Sequence, residues 1–143
     1  MTVTAGIRLP VAHGDVFPHG CHLVPDSITE AQDWDEVSRT RSPTVDKVTG
    51  KRVYHVRVID LDPVLEGRSR EVVVKVAADR PPAPPTRAPF EPVEFEGLTV
   101  TPYTDTSRCT RDRQRCGARM AFSLRATGVK AARPMAQPAK DVA

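Results

Sequence analysis

Residues 92–103 read PVEFEGLTVTPY and residues 119–128 read RMAFSLRATG, with a polar insert at 104–118 between them. In both runs apolar residues recur at every second position, which is the period of a half-buried strand. This pattern places on one face Leu98, Val100, Met120, Phe122, Leu124 and Ala126. The sequence therefore predicts a β-hairpin with an oversized tip at residues 104–118.

The predicted hairpin is basic at its tip and along its opposite face. That face begins at Arg119 and ends at Arg125, and the tip sets Asp105 and Asp112 against four arginines. An anion, most simply a nucleic-acid backbone, is the natural partner for such a surface. The tip arginines are Arg108, Arg111, Arg113 and Arg115.

Charge is unevenly distributed along the chain. The 143 residues have a formal net charge of only +3 and a hydrophobic fraction of 39%, which suits one domain with a modest core. Residues 1–96 hold 12 Lys/Arg and 15 Asp/Glu, whereas residues 97–143 hold 9 and 3. We interpret this as a basic C-terminal third on an acidic body; a solvated surface with a tail is the alternative interpretation.

Two further strands are predicted at 52–60 (RVYHVRVID) and 71–77 (EVVVKVA). Alternation places Tyr54 and Val56 on one face of the first strand and Arg57 on the other. In the second strand it turns Val72, Val74 and Val76 inward. After them, residues 80–92 contain too many prolines to enter a sheet interior, so an extended crossover is expected there.

These elements predict an all-β fold: a small OB-like antiparallel β-barrel with long hairpins and little helix. Residues 1–130 form this single domain, and residues 131–143 are expected to be a disordered basic tail. Trp34 lies among acidic residues and is predicted to be a core anchor. A base-stacking role is less favoured because the carboxylates would repel phosphate.

The cysteines leave three alternatives open. Cys109 and Cys116 lie within the Arg-rich tip and are free thiols, a redox-sensitive pair, or two ligands of a metal site. A zinc site would need two more ligands, and the four histidines have no paired spacing with these cysteines. We therefore expect no metal and no cofactor.

Enzyme motifs are missing from the sequence. It contains no Gly-rich phosphate loop, no nucleophile elbow and no metal-spaced His/Glu set, so a binding protein without catalytic residues is expected. The N-terminus has no signal-peptide pattern, and no apolar run approaches a membrane span. These features predict a cytoplasmic, reduced protein without a membrane partner.

Four segments carry a resemblance to a known family: VRVIDLDP (56–63), VVVKV (72–76), FEGLTVTPY (95–103) and AFSLRATG (121–128). Together they resemble the plasmid replication, integration and excision activators of actinobacterial integrative and conjugative elements. The resemblance covers roughly residues 16–132. It implies an accessory regulator of an element's replication and recombination, and it brings no catalytic residues. The layout of the chain is also similar to the OB-fold single-stranded DNA-binding proteins of filamentous phages, from which the longer acidic N-terminal region and the Cys-containing tip depart.

The combined expectation is an accessory protein of a mobile element that binds single-stranded rather than duplex DNA, without sequence preference. Its alternative is a regulatory adaptor or transcriptional activator that contacts a replication initiator or recombinase, and a homodimer is compatible with either. Phe90 is considered as a further stacking platform. Besides the tip arginines, the expected nucleic-acid-binding residues are Arg52, Tyr54, Arg57, Lys75, Tyr103, Arg119 and Arg125.

Overall fold

The computed structural model describes residues 6–107, 109 and 117–133 of the chain. Within these residues the regular structure is mostly β, which confirms the all-β prediction, and helix is limited to α1 (His13–Val16) and a 3₁₀ turn (Gly67–Arg70). The strands in chain order are β1 (Leu9–Pro10), β2 (Cys21–Leu23), β3 (Thr29–Glu30), β4 (Gln32–Asp35), β5 (Thr40–Pro43), β6 (Arg52–Asp60), β7 (Glu71–Ala78), β8 (Pro92–Glu96), β9 (Thr99–Asp105), β10 (Arg119–Ala126) and β11 (Gly128–Ala131).

Part of what the sequence predicts lies outside the described residues. This applies to Cys116, to residues 134–143 of the expected tail, and to the four tip arginines. The first residues of the expected tail are described and lie along β8 instead. Ala131 ends β11, and the Arg133 guanidinium donates a hydrogen bond to Glu94 over 3.0 Å.

The β6–β7 hairpin forms the centre of the core. The two strands pair antiparallel along almost their whole length, as the sequence predicts. β-branched side chains pack well on a pleated, buried surface, so alternating valines give this hairpin one fully apolar face. The side chains with no exposed surface are Val56, Val58, Val74 and Val76. The rest of the core cluster is Phe17, Cys21, Leu23, Val93, Phe95, Leu98, Leu124 and Ala126.

A second, longer hairpin joins β8–β9 to β10–β11 in a single register. Val93 lies opposite Ala131 at one end, and Asp105 lies opposite Arg119 at the other. The backbone N–H of Thr127 donates to the Glu96 carbonyl over 2.8 Å, so pairing continues across the junction of the two halves. The pairing of the predicted hairpin is therefore confirmed, whereas most of its tip lies outside the described residues.

This hairpin bends at Gly97. The φ angle of Gly97 is +59°, a left-handed conformation that glycine adopts without a Cβ penalty. The bend changes which positions face the core: Val93 and Phe95 are buried before it, and Leu98 is buried after it. Both halves of the hairpin can therefore pack on the core although their register does not change.

The bend allows the sheet to curl back on itself. β2 pairs with β6 on one side and β8 on the other, and β7 pairs with β6 and β10. Because β8–β9 and β10–β11 are two bent strands, the path β2, β6, β7, β10–β11, β8–β9 returns to β2. The nine-stranded sheet therefore curls into the predicted small OB-like barrel.

One strand pair departs from the predicted antiparallel barrel. β7 and β10 are parallel, with Val74 opposite Leu124 and Val76 opposite Ala126. A parallel pair needs a connection of a dozen or more residues, and here the crossover, β8, β9 and the tip provide it. Periodicity predicts strands but not which of them become neighbours.

The predicted inward row of β10 is correct only near the barrel. Leu124 and Ala126 are buried, but Met120 is 73% exposed and Phe122 is 61% exposed. Within β10, only residues 124–126 pair with β7, so the outer half of the hairpin extends past the barrel. Nothing in the described part of the chain covers that half.

The Pro-rich crossover has no strand or helix before β8 begins at Pro92. Its conformation is held from inside by Glu91, which is buried. The Glu91 carboxylate accepts hydrogen bonds from both the backbone N–H and the hydroxyl of Thr86. An extended connector is what the sequence predicts here.

The bend at Gly97 generates a stability prediction with a built-in control. A Cβ on Gly97 would lie 2.5 Å from Thr127 Oγ1, whereas one on Gly67, at a similar φ of +55°, would meet nothing within 4 Å. Alanine in a left-handed conformation costs about 1–2 kcal/mol at either site. Steric overlap should add about 1–3 kcal/mol at Gly97 alone. We expect Gly97→Ala to lower the free energy of unfolding in urea clearly more than Gly67→Ala, and equal losses would contradict this role of the bend.

Candidate nucleic-acid interface

The outer face of β6, β7 and β10 carries a row of cationic side chains. Side chains alternate across a strand, so the residues between the buried valines point away from the core. His55 lies opposite Lys75, and Lys75 lies opposite Arg125 on the parallel neighbour. Arg57 occupies the next outward position on β6, opposite Val73. Backbone pairing therefore places cationic or titratable groups from three strands side by side.

Two adjoining grooves cross this face and share Lys75 and Arg125. The first, with a volume of about 530 Å³, extends along the hairpin toward Tyr103. The second, of about 380 Å³, extends over His55 toward the roots of β4 and β5. Remaining residues on the first groove are Val73, Thr101, Phe122, Ser123 and Leu124. Those on the second are Arg8, Ala31, Gln32, Asp33, Thr44, Val45, Asp46, Lys47 and Val53.

The centre of this surface has unbalanced positive charge. Partial burial lowers the pKa of Lys75, and the nearby Arg125 and Arg8 lower it further. In the described part of the chain, no carboxylate forms a salt bridge with Lys75 or Arg125. The Arg125 guanidinium has only a long hydrogen bond to the Ser123 hydroxyl, at 3.4 Å. These two cations are available to an anion.

The flanking cations are partly neutralised. Arg8 Nη1 lies 2.9 Å and 3.1 Å from the two carboxylate oxygens of Asp46, and Arg57 lies 3.4 Å from Glu71. Burial alone would raise the pKa of Asp46, but hydrogen bonds from Arg8 and from two backbone N–H groups lower it below its usual value. Arg8 therefore contributes more to holding the turn at Asp46 than to the free charge of the groove.

His55 lies inside this cationic row. Its pKa is lowered by partial burial first, and then by the charges of Lys75 and Arg57. The imidazole is therefore mostly neutral at pH 7. A phosphate placed beside the imidazole would oppose the effect of these two charges and raise the pKa of His55, because an anion favours the charged imidazolium.

The structure brings several of the predicted binding residues together and separates others. Lys75, Arg57 and Arg125 lie on the cationic row, and Tyr103 lies at the end of the first groove with half of its surface exposed. Arg119 is exposed near the tip, opposite Asp105. Arg52 is not on this row. Arg52 is the first residue of β6 and alternates in phase with the core-facing residues of that strand. Its guanidinium lies 3.9 Å from the Glu30 carboxylate.

Tyr54 does not belong to the interface, which corrects the prediction for this residue. It is only 2% exposed and pairs with Val76 within the sheet, so no base can reach its ring. Phe90 is half-exposed but lies in a different groove, beside Pro84 and Pro89 of the crossover. Burial of Tyr54 follows from its alternation with the core valines.

Trp34 is exposed, although the sequence analysis favours a core anchor. Its exposed fraction is 56%, and it lies on the separate two-stranded ribbon of β4 and β5, where every residue is exposed. The prediction was wrong because a single tryptophan among polar residues has no periodic pattern to show whether its strand joins the core.

Arg8 and His55 are two groove residues that the sequence analysis missed. His55 shares an outward face with Arg57 in the predicted strand, and that signal could have identified it. Arg8 has no such signal. It reaches the groove because β1 pairs with β9, a contact between segments about 90 residues apart.

The cysteines are placed only in part. Cys109 is disulfide-bonded, and Cys116 lies outside the described residues. Cys21 is a buried free thiol whose pKa is raised to about 12 by burial and by the nearby Asp60. Over the described residues, no three His, Cys, Asp or Glu side chains cluster in a way that could hold a metal ion.

Comparisons add no relative. Neither a scan against protein-family models nor searches of curated proteins and of solved structures find a match for this chain. No helix within the described ranges has the length and apolar character needed to cross a membrane.

Proposed function

We propose that this protein binds single-stranded DNA, with little sequence preference, along the grooves that cross the outer face of β6, β7 and β10. The observation that carries the proposal is the pair Lys75 and Arg125, two adjacent cations without a carboxylate partner in the described residues. Like charges directly opposite each other destabilise a sheet, and a phosphate between them would remove that repulsion.

A single strand suits this surface better than a duplex. Proteins that bind single strands combine a cationic path for the backbone with aromatic side chains on which bases stack. Tyr103 provides such an exposed ring in the groove that contains Lys75 and Arg125. In OB-like barrels the second and third strands and the adjoining loops form the usual ligand face, and β6 and β7 occupy those places in this barrel.

The resemblance of four sequence segments to mobile-element activators supports a biological setting for this activity. A protein that holds single-stranded DNA without sequence preference would serve replication, integration and excision of a plasmid, since each process exposes single strands. No enzymatic step is needed for that role. We therefore propose an accessory DNA-binding protein of an integrative element.

A third groove, away from the cationic face, favours the adaptor alternative. It has a volume of about 640 Å³ and lies between residues 23–28 and the Pro-rich crossover, with half-exposed Phe90 at its wall. Most of the lining residues are apolar, including several prolines and an aromatic ring, which suits a protein segment better than DNA. If the adaptor role is correct, Phe90→Ala should abolish nuclease-resistant recovery of a replication or recombination protein from cells that carry the parent element. Loss of recovery after nuclease treatment of the wild type would favour DNA binding instead.

Salt dependence tests the proposed DNA-binding face. Each phosphate contact on a single strand contributes about 0.7 to the slope of log affinity against log salt. Replacing both Lys75 and Arg125 with Gln should therefore reduce the magnitude of this slope by about 1.4, measured by fluorescence anisotropy with a labelled oligonucleotide.

The matched control is Lys130→Gln with Arg133→Gln, which removes the same charge from the β8–β11 side, where these residues lie near Glu96 and Glu94. The control should keep the wild-type slope. Equal effects of the two double variants would show that net charge, not this face, determines binding. Absence of binding at about 100 μM protein in low salt would contradict the proposed function itself.

The position of His55 predicts that affinity depends on pH. The pKa of His55 is below 6.5 in the free protein, and a bound phosphate should raise it, so binding takes up a proton. Affinity should therefore increase as pH falls through the raised pKa of His55 in the complex, and should level off below its lowered pKa in the free protein, where His55 is protonated in both states. His55→Asn should remove most of this dependence, whereas His19→Asn, in the turn after α1, should leave it unchanged. The same pH profile in all three proteins would rule out contact between His55 and phosphate.

A further inference from the structure

The β4–β5 ribbon has two chemically different faces. In its antiparallel register Trp34 lies directly opposite Arg41, and Asp33 lies opposite Ser42. Because neighbours along a strand point to opposite sides, the carboxylates of Asp33 and Asp35 project away from the face that carries Trp34. That face therefore combines an exposed aromatic ring with a guanidinium.

The carboxylates on the other face are already engaged. Asp33 Oδ1 accepts a hydrogen bond from the Thr44 hydroxyl over 2.9 Å, and Asp35 Oδ1 accepts one from the Val37 backbone over 2.9 Å. Both interactions lie within the ribbon and its root. These donors are neutral, so both carboxylates keep their charge, and what separates them from Trp34 is their position on the opposite face of the ribbon.

The ribbon begins at the end of the cationic groove. Backbone hydrogen bonds fix its root to β6: Ala31 donates to Val53, Thr44 donates to Ala31, and Val53 donates to Thr44, over 2.9–3.1 Å. The residues at this root, Gln32 and Thr44 among them, line the same groove as His55, Lys75 and Arg125. Trp34 lies only two residues beyond Gln32, which is roughly 7 Å along a strand.

We propose that the β4–β5 ribbon is a second contact for the single strand held by the barrel face, with Trp34 stacking on a base and Arg41 binding an adjoining phosphate. This inference rests on the proposed function and extends it. It adds a stacking site and extends the proposed DNA path, which then runs from Tyr103 across Lys75 and Arg125 to the ribbon. Two-stranded ribbons are marginally stable alone, so a bound strand would also order this one.

Trp34 itself provides the readout, because it is the one tryptophan in the chain. Its fluorescence should be quenched when the intact protein is titrated with oligothymidylate, and the midpoint should agree with that from anisotropy of a labelled strand. Stacking on an aromatic side chain contributes enough that Trp34→Ala should weaken binding by about 5- to 150-fold. The salt slope of Trp34→Ala should equal that of the wild type, since stacking releases no counterions.

Three variants separate stacking from damage to the ribbon. Trp34→Phe keeps a π-face and should retain most of the affinity, whereas Trp34→Leu keeps apolar bulk alone and should bind as weakly as Trp34→Ala. Arg41→Gln should lower the salt slope by about 0.7. Val37→Ala, an exposed apolar change in the loop of the same ribbon, should have no effect.

The outcomes distinguish this inference from the proposed function. If anisotropy shows binding that depends on Lys75 and Arg125, but Trp34 fluorescence and the Trp34 variants show no change, the ribbon contact is wrong and the barrel face remains. If Trp34→Leu binds as well as the wild type, the ribbon contact is packing rather than stacking, and the inference is wrong. If no oligonucleotide binds, both are wrong, and the exposed Trp34 becomes a candidate contact for a protein partner.

Discussion

The barrel depends on one bend in its longest hairpin. Because Gly97 takes a left-handed conformation, the two strands keep a single register while the positions that face the core change. One half of the hairpin can then pair with β2 and the other half with β7. Thr127 packs against the space that a side chain on residue 97 would occupy, so the bend is fixed by sequence and by close contact.

The candidate interface is a consequence of that closure. Arg125 meets Lys75 only because the bent hairpin returns parallel to β7, and His55 joins them through the β6–β7 pairing. The fold thus holds like charges together at an electrostatic cost, which the buried apolar side chains of the same three strands offset. The anionic partner proposed above would stabilise such a surface, and a strand bound along it would also reach the exposed ribbon of β4 and β5.

The sequence predicted much of the barrel and part of the interface, for physical reasons. A period of two identified the central hairpin and assigned Lys75 and Arg57 to its outer side, because burial repeats with the pleat. Exposure of Met120 and Phe122 could not be predicted, since periodicity does not show where a hairpin leaves the barrel. The parallel β7–β10 pair and the position of Arg8 depend on contacts between distant segments, and a single sequence carries no record of them.

If the proposed function is correct, single-stranded DNA lies on the outer face of β6, β7 and β10. The most direct measurement is a titration of isotope-labelled protein with a short oligothymidylate, followed through its amide and indole N–H chemical shifts. Bound DNA should shift Lys75, Ser123 and Arg125 most, with changes that continue to the Trp34 indole and leave β8 and β11 unaffected. Changes confined to residues 23–28 and 81–90, or to β11, would contradict this placement of the DNA.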